Sequence, residues 1–432
     1  MTELMRENLA RAQTEAPAWW DAAREDARRR WESTSLPTRK TEAWKYTDVR
    51  ALDRSFAPGR PVALDDDALA DRIPDLDGPR LVFVNGHYAP ALSSAETPAG
   101  LRVCRFSEAD ESRSARIREA LDSVVDADRH LFAALNSAAL CDGVLVEVEA
   151  GATLHAPLQV VWVCADQGEA FAANQRLLVL AGENSCASVV ESFVSLAEDS
   201  SFTNGVSELL LSRGATLNHY RLQLEGGAAL HVGGVHARLA RDATLNSFHL
   251  GLGSDLKRVD IVVEHAGEGA HAEVNGLYLP RGREHVDYHT CMEHAVPHCS
   301  STETFRGLVA DAATAVFNGR IHIHPRAQKT SAELSNKNLL TSAEAQVNTK
   351  PELEIYADDV QCAHGATVAQ LDALSLHYLR TRGIGEAQAR LLLSIGFVNA
   401  LVAQVRDERL REYLQRLLEA RLLPESGAEG DA

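Results

Sequence analysis

SELLLSRGATLNHYRLQLEGGAALHVGGVHARLARDATLNSFHL, residues 207–250, is the stretch whose reading decides the fold. It carries the phrase GATL at Gly214–Leu217 and, 28 residues on, DATL at Asp242–Leu245. The runs between are short and apolar, stopped by Gly or a polar residue, without helical period. GATL also stands upstream at Gly151–Leu154, and looser echoes follow at Gly269–Ala272, 27 residues after Asp242, and at Asp311–Thr314. Recurrence near such a period marks a stacked repeat, in which each unit buries its apolar face only against its neighbours.

Outward from this stretch the pattern holds from Gly143 to Ala366, through VLVEVEAG, LQVVWVCA, RLLVLAG and RVDIVVEHAG. A β-sandwich built of hairpins would need frequent Asn-Gly or Asp-Gly turns. They are confined to Asp142-Gly143, Asn204-Gly205, Asn275-Gly276 and Asn318-Gly319. The recurring corner instead suits the tight bends of a parallel β-helix. The expected fold is mainly β, a parallel β-helix with helical flanks.

Residues 1 to about 35 read as helix, with Trp19, Trp20, Ala23 and Ala27 at helical spacing, and Pro37 ends the run. LVFVNGHYAP (Leu81–Pro90) reads as a strand with an Asn-Gly hairpin turn. Ser107–Asn136 returns to helix, with Ile117, Leu121, Val124 and Val125 on one side. From Thr367, helices break at Gly383-Ile-Gly385, and the closing PESGAEGDA reads as a disordered tail. The expected domains are a helical region with a short strand segment over 1–140, the β-helix over 141–366, and a helical domain over 367–432.

With 61 acidic against 43 basic residues the net charge is −18, which opposes a phosphate-binding surface, and no nucleic-acid partner is expected. The single Gly383-Ile-Gly385 hairpin resembles a helix-hairpin-helix module but reads better as a turn between packed helices. No apolar run approaches the roughly 18 residues of a membrane span, and the charged start MTELMREN has no signal-peptide core. Seven scattered cysteines without a CxxC pair read as reduced thiols, so the cytoplasm is the expected compartment.

No phosphate loop, GxGxxG or GxSxG motif is present, so neither a nucleotide enzyme nor an α/β-hydrolase is signalled. The densest ligand-type cluster is His285, His289, Cys291, His294, His298 and Cys299. On a continuous strand 285, 289, 291 and 299 would share a face, with 294 and 298 opposite. Pro297 interrupts that register, and stoichiometric zinc is not expected there. His322 and His324 share a face in GRIHIHP, where a structural role is expected because two histidines alone make a weak ligand set. Cys362 and His364, in ADDVQCAH, again project alike, and a soft thiolate beside an imidazole can hold iron or a soft metal ion.

LPTRKTEAWKYTDV (Leu36–Val49), the block GRIHIHPRAQKTSAELSNKNLLTSAEAQVNTKPELEIYADDVQCAHGATVAQLD (Gly319–Asp372) and YLRTRGIGEAQARLLLSIGF (Tyr378–Phe397) together resemble the SufB/SufD family of iron–sulfur assembly scaffolds. The first is similar to the signature of the D branch. The B branch is typically longer, with extra cysteines near its start, whereas the first cysteine here is Cys104. The resemblance covers nearly the whole chain. It implies a right-handed parallel β-helix between helical end domains, and a scaffold subunit without catalysis of its own. It implies two partners: SufC, an ABC-type ATPase docking on the C-terminal helices, and SufB. On those helices Tyr378, Arg380, Arg390, Leu393 and Phe397 are expected to meet the ATPase.

His364 falls where the D branch has a histidine that helps hold a nascent cluster shared transiently with a cysteine of SufB, and Cys362 matches a cysteine of the same motif. No permanently bound cofactor is implied. Self-pairing into a homodimer stays open. The alternatives are a B-type paralogue and, from another class, a β-helix enzyme acting on polysaccharides.

Overall fold

The computed structural model describes residue 9 and residues 17–94, 96–126, 129–196 and 201–423. Most of the first sixteen residues and the PESGAEGDA tail lie outside the described residues.

Alternate strands along the chain fall into alternate sheets, so the polypeptide coils. One ten-stranded sheet runs from Leu101–Arg105 and Val144–Val148 to Thr314–Ile323 and Gln346–Ile355. The other runs from Arg80–Val84 and Leu158–Cys164 to Ser331–Leu340 and Gln361–Gln370. The result is a parallel β-solenoid of about seven turns. Its interior is one continuous apolar cluster that takes Val146, Val179, Val235, Ile261 and Phe317 from the first sheet. Val160, Val189, Leu217, Leu245 and Leu334 come from the second.

The repeated phrase forms the corner entering the second sheet. Gly151, Gly214, Asp242 and Gly269 all have positive φ (74°, 67°, 55° and 76°), a left-handed step that only Gly adopts freely and that Asn and Asp tolerate. The next residue, Ala215 or Ala243, is wholly buried, and Thr216 or Thr244 opens the following strand in mutual register. The N–H of Gly214 donates to the Arg241 carbonyl, and that of Asp242 to the Glu268 carbonyl, both at 2.9 Å. Each corner is thereby tied to the one above. The echo at Asp311 also has positive φ (52°) but sits at the opposite corner, entering the first sheet at Thr314. Asn275-Gly276 makes no turn. It lies within the strand His271–Leu279, where a Cβ on Gly276 would come 2.2 Å from the Phe305 ring.

The flanks cover the outer faces of the sheets. Trp31, Trp44 and Phe132 pack with Phe202, Leu230, Val232 and Leu256 on the first sheet. The helices Glu386–Val402 and Glu408–Leu422 set Leu401, Leu410, Leu414 and Leu418 against Tyr220, Phe248, Leu250 and Leu277 of the second.

Two expectations change. Ser107–Asn136 is not one helix but Glu111–Ala120 and Leu131–Ala139. Between them Asp122, at φ 57°, binds the buried Arg176 guanidinium and accepts from the Ser137 hydroxyl at 2.9 Å, while its N–H donates to Glu208 at 3.0 Å. The last strand runs to Gln370, past Ala366, and the next helix begins at Ala373. The 1–140 segment also adds strands to both sheets, including the hairpin of Arg80–Val84 with His87–Tyr88 around Asn85-Gly86.

Candidate functional site

The coil ends on two strands, Gln346–Ile355 and Gln361–Gln370, each with a sheet neighbour on one side only. Such edges offer rows of N–H and C=O groups to another chain. Cys362 pairs with Ala332 and His364 with Leu334. Both partners face the interior core, so Cys362 and His364 point to the inner face of the last rung. Cys362 is half-buried against the core, and burial pushes its thiol up from the usual range; His364 is exposed. On the last strands and the helix that follows, Ile355, Tyr356, Val368, Leu374 and Tyr378 are large side chains left in solvent, with Leu374 74% exposed and Tyr356 62%. The helix Ala373–Thr381, capped by the Asp372 carboxylate, buries none of its residues.

Of the docking residues expected on the C-terminal helices, Tyr378, Arg380 and Arg390 are exposed and Leu393 is half-buried. Arg380 and Arg390 both reach Glu386, at 3.6 and 3.0 Å. Phe397 is turned the other way. Its ring lies 5.2 Å from the Arg306 guanidinium, its carbonyl accepts from the same arginine, and it packs against the second-sheet core. It attaches the helix to the solenoid.

The His/Cys group of 285–299 is distributed by the strand His285–His294 and the turn after it. His285, His289 and Cys291 face outward on the first sheet, as parity requires. His285 lies 3.0 Å from the Thr47 hydroxyl, and Thr47 in turn donates to Asp287. Arg258 and His289 reach Asp287 at 2.8 and 3.0 Å. Burial raises the Asp287 carboxyl, but Arg258 and His289 outweigh it and hold it at about 2. These contacts fasten TEAWKYTDV to the sheet, with Trp44 stacked 4.1 Å from the Arg258 guanidinium. The motif had been legible; its anchor had not.

His294 faces inward and stacks on His265 with ring centroids 4.1 Å apart. Burial pushes it down to about 2, so it stays neutral. His298 is itself a left-handed corner residue (φ 61°), and Cys299 is buried behind it in the interior. Cys299 therefore does not share a face with 285, 289 and 291, because the turn at Pro297 breaks the register. What had not been foreseen is Glu293. It stands opposite His322 on the adjacent strand Thr314–Ile323, and its Oε2 accepts from His322 Nδ1 and His324 Nε2, both at 3.0 Å.

Among the described residues no helix is long and apolar enough to cross a membrane. The family described as SUF system FeS cluster assembly, SufBD core domain, matches residues 163–397, and the SufBD protein N-terminal region matches residues 1–160. The iron-sulfur cluster assembly protein SufD of Escherichia coli is 34% identical over 396 residues, covering 90% of each chain. An iron-sulfur cluster assembly SufBD family protein of Synechocystis is 28% identical over 402 residues, 90% of this chain and 88% of its own. The chloroplastic protein ABCI7 of Arabidopsis thaliana is 25% identical over 388 residues, 88% of this chain and 81% of its own.

Proposed function

The chain belongs to the SufB/SufD family, on its SufD side, with a role in iron–sulfur cluster assembly, and from that premise we propose that it is a non-catalytic scaffold subunit of a SufBCD complex. The observation that carries the reading is the last rung. It leaves two strand edges unpaired, carries Cys362 and His364 on one of them, and exposes large apolar side chains on these strands and the helix that follows. SufB would dock on this rung, and the nascent cluster, as cargo, would form where His364 meets a SufB cysteine. A neutral imidazole offers nitrogen to iron; the Cys362 thiol, kept protonated by burial, must lose its proton to ligate and is the weaker contributor. ATP hydrolysis would reside in SufC, docked through Tyr378, Arg380, Arg390 and Leu393 beside that rung. The absence of a phosphate-loop motif in this sequence is in keeping with that division. The proposed location is the cytoplasm.

The test is co-expression with SufB and SufC, with iron and sulfide measured per purified complex. His364→Ala removes no core volume, so assembly should persist while iron and sulfide fall severalfold, and Cys362→Ala should do less. Full iron and sulfide on an assembled His364→Ala complex refutes the ligand role. SufC docking is tested by Tyr378→Ala with Arg390→Glu rather than by truncation, because removing the helices would strip the cover from Phe248, Leu250 and Leu277. Undiminished SufC capture by that double variant refutes the docking surface.

A further inference from the structure

The register of the first sheet assembles a three-residue group on its outer face, whereas the last-rung pair faces inward. Glu293 lies opposite His322, and His324 follows the end of the same strand, its N–H held by the His294 carbonyl at 3.0 Å. The two imidazole centroids are 4.4 Å apart, both rings directed at one carboxylate oxygen. The ligand atoms of the three residues lie within 4.8 Å of one another, and among the described residues no other set of His, Cys, Asp and Glu atoms does so. We propose that Glu293, His322 and His324 bind one divalent transition-metal ion, iron(II) or zinc, in a site separate from the last-rung residues and independent of any partner chain.

The chemistry supports a three-ligand site with open positions. Two imidazoles and one carboxylate are a donor set that suits iron(II) and zinc. Ligands about 2.1 Å from a tetrahedral ion stand roughly 3.4 Å apart, so the 3.0 Å Glu–His separations need only a small adjustment. The other oxygen of Glu293 is already occupied. Arg129 lies 3.5 Å from Oε1, and the Cys291 thiol donates to it at 3.7 Å, which holds the carboxylate with Oε2 turned to the two imidazoles, where an ion would replace their hydrogen bonds.

Glu293 and His324 line a cavity of about 800 Å³, bounded by this sheet face and by residues 123–126 and 129–133, from which the open positions of the ion would be reached. That cavity is large enough for water and a small exchanging ligand. Five cationic side chains, Arg129 among them, line the cavity against seven carboxylates including Glu293, so the walls are not positive as a whole.

The full chain, stripped with a chelator, is titrated anaerobically with iron(II) and, separately, with zinc by calorimetry, and with cobalt(II) as a visible-absorption probe. About one ion per chain is expected. Affinity should fall at least thirtyfold, and the cobalt bands should disappear, in the double variant His322→Ala, His324→Ala. If that variant does not fold, as judged by circular dichroism, the near-isosteric Glu293→Gln carries the test with at least a tenfold loss. His364→Ala should bind as the parent does. Absence of saturable binding, or binding undiminished in folded variants of the three residues, overturns the proposal, as does binding abolished by His364→Ala alone.

Discussion

Glu303 and Glu191 are two glutamates in one solenoid interior, and their surroundings drive them in opposite directions. Glu303 is wholly buried, and its ladder neighbours are Val274 on one side and Leu334 on the other. Burial pushes its carboxyl up to about 8, and only the Thr290 hydroxyl acts to lower it. At neutral pH the folded chain holds this proton, whereas the unfolded chain, with an ordinary value near 4.5, has lost it. Because the folded state binds the extra proton between about pH 4.5 and 8, its stability must fall as pH rises through that window. At about 1.4 kcal/mol per unit, the cost accumulated by pH 7 is about 3 kcal/mol. Glu303→Gln keeps the shape and removes the titration. It should match the parent near pH 4.5 and exceed it at pH 7, by about 4 °C in Tm for a chain of this length. Thermal denaturation followed by far-ultraviolet circular dichroism at pH 5, 6, 7 and 8 reads the difference. The neutral His265 and His294 titrate alike in both chains and cancel. Parallel stability curves for parent and variant across this range would refute the reasoning, because they would mean Glu303 is ionised in the fold.

Glu191 should behave in the reverse sense: burial raises its carboxyl, but Arg221 and His219 outweigh burial and hold it at about 2, so it contributes stability above about pH 4.5 that is lost as pH falls toward 2. Glu191→Gln should cost about 3 kcal/mol at pH 7, with the deficit shrinking at pH 3, and equal deficits in urea denaturation at both values would contradict this. At the corner, Gly269→Ala places a Cβ 2.3 Å from Asp242 Oδ1 at a φ of 76° and should cost about 2 kcal/mol by the same measurement. Adding Asp242→Gly removes the clash and should recover part of that loss, whereas purely additive effects would show that the corners are not coupled.

Much of the coil was legible because its corners are chemically explicit. GATL and DATL place a residue tolerant of positive φ before a small buried Ala and a strand-opening Thr, and the strands stack in the register the phrases imply. The break at Asp122 was not legible, since its cause is Arg176, which is distant in sequence and itself clamped by Glu208 at 2.7 Å. Local apolar spacing continued through the break and gave one helix where there are two. Placing Asp311 at the other corner likewise required the count of strands per turn.

The same limit governs the Glu293 group. Alternation within a strand reveals that 289, 291 and 293 share a face, and separately that 320 and 322 do. Joining them requires the ladder offset, and turn lengths vary along the coil. Thr216 pairs with Thr244 and Thr244 with His271, steps of 28 and 27 residues, while Glu293 pairs with His322 and Ser300 with Ser331, steps of 29 and 31. A slip of one residue would have turned His322 and His324 into the interior, away from Glu293. The histidines were therefore visible as a pair too weak to hold a metal, and the carboxylate was hidden inside a cluster read for its cysteines and histidines. Register makes them one set of ligands, and it does so on an outer face of the first sheet that the N-terminal segment covers.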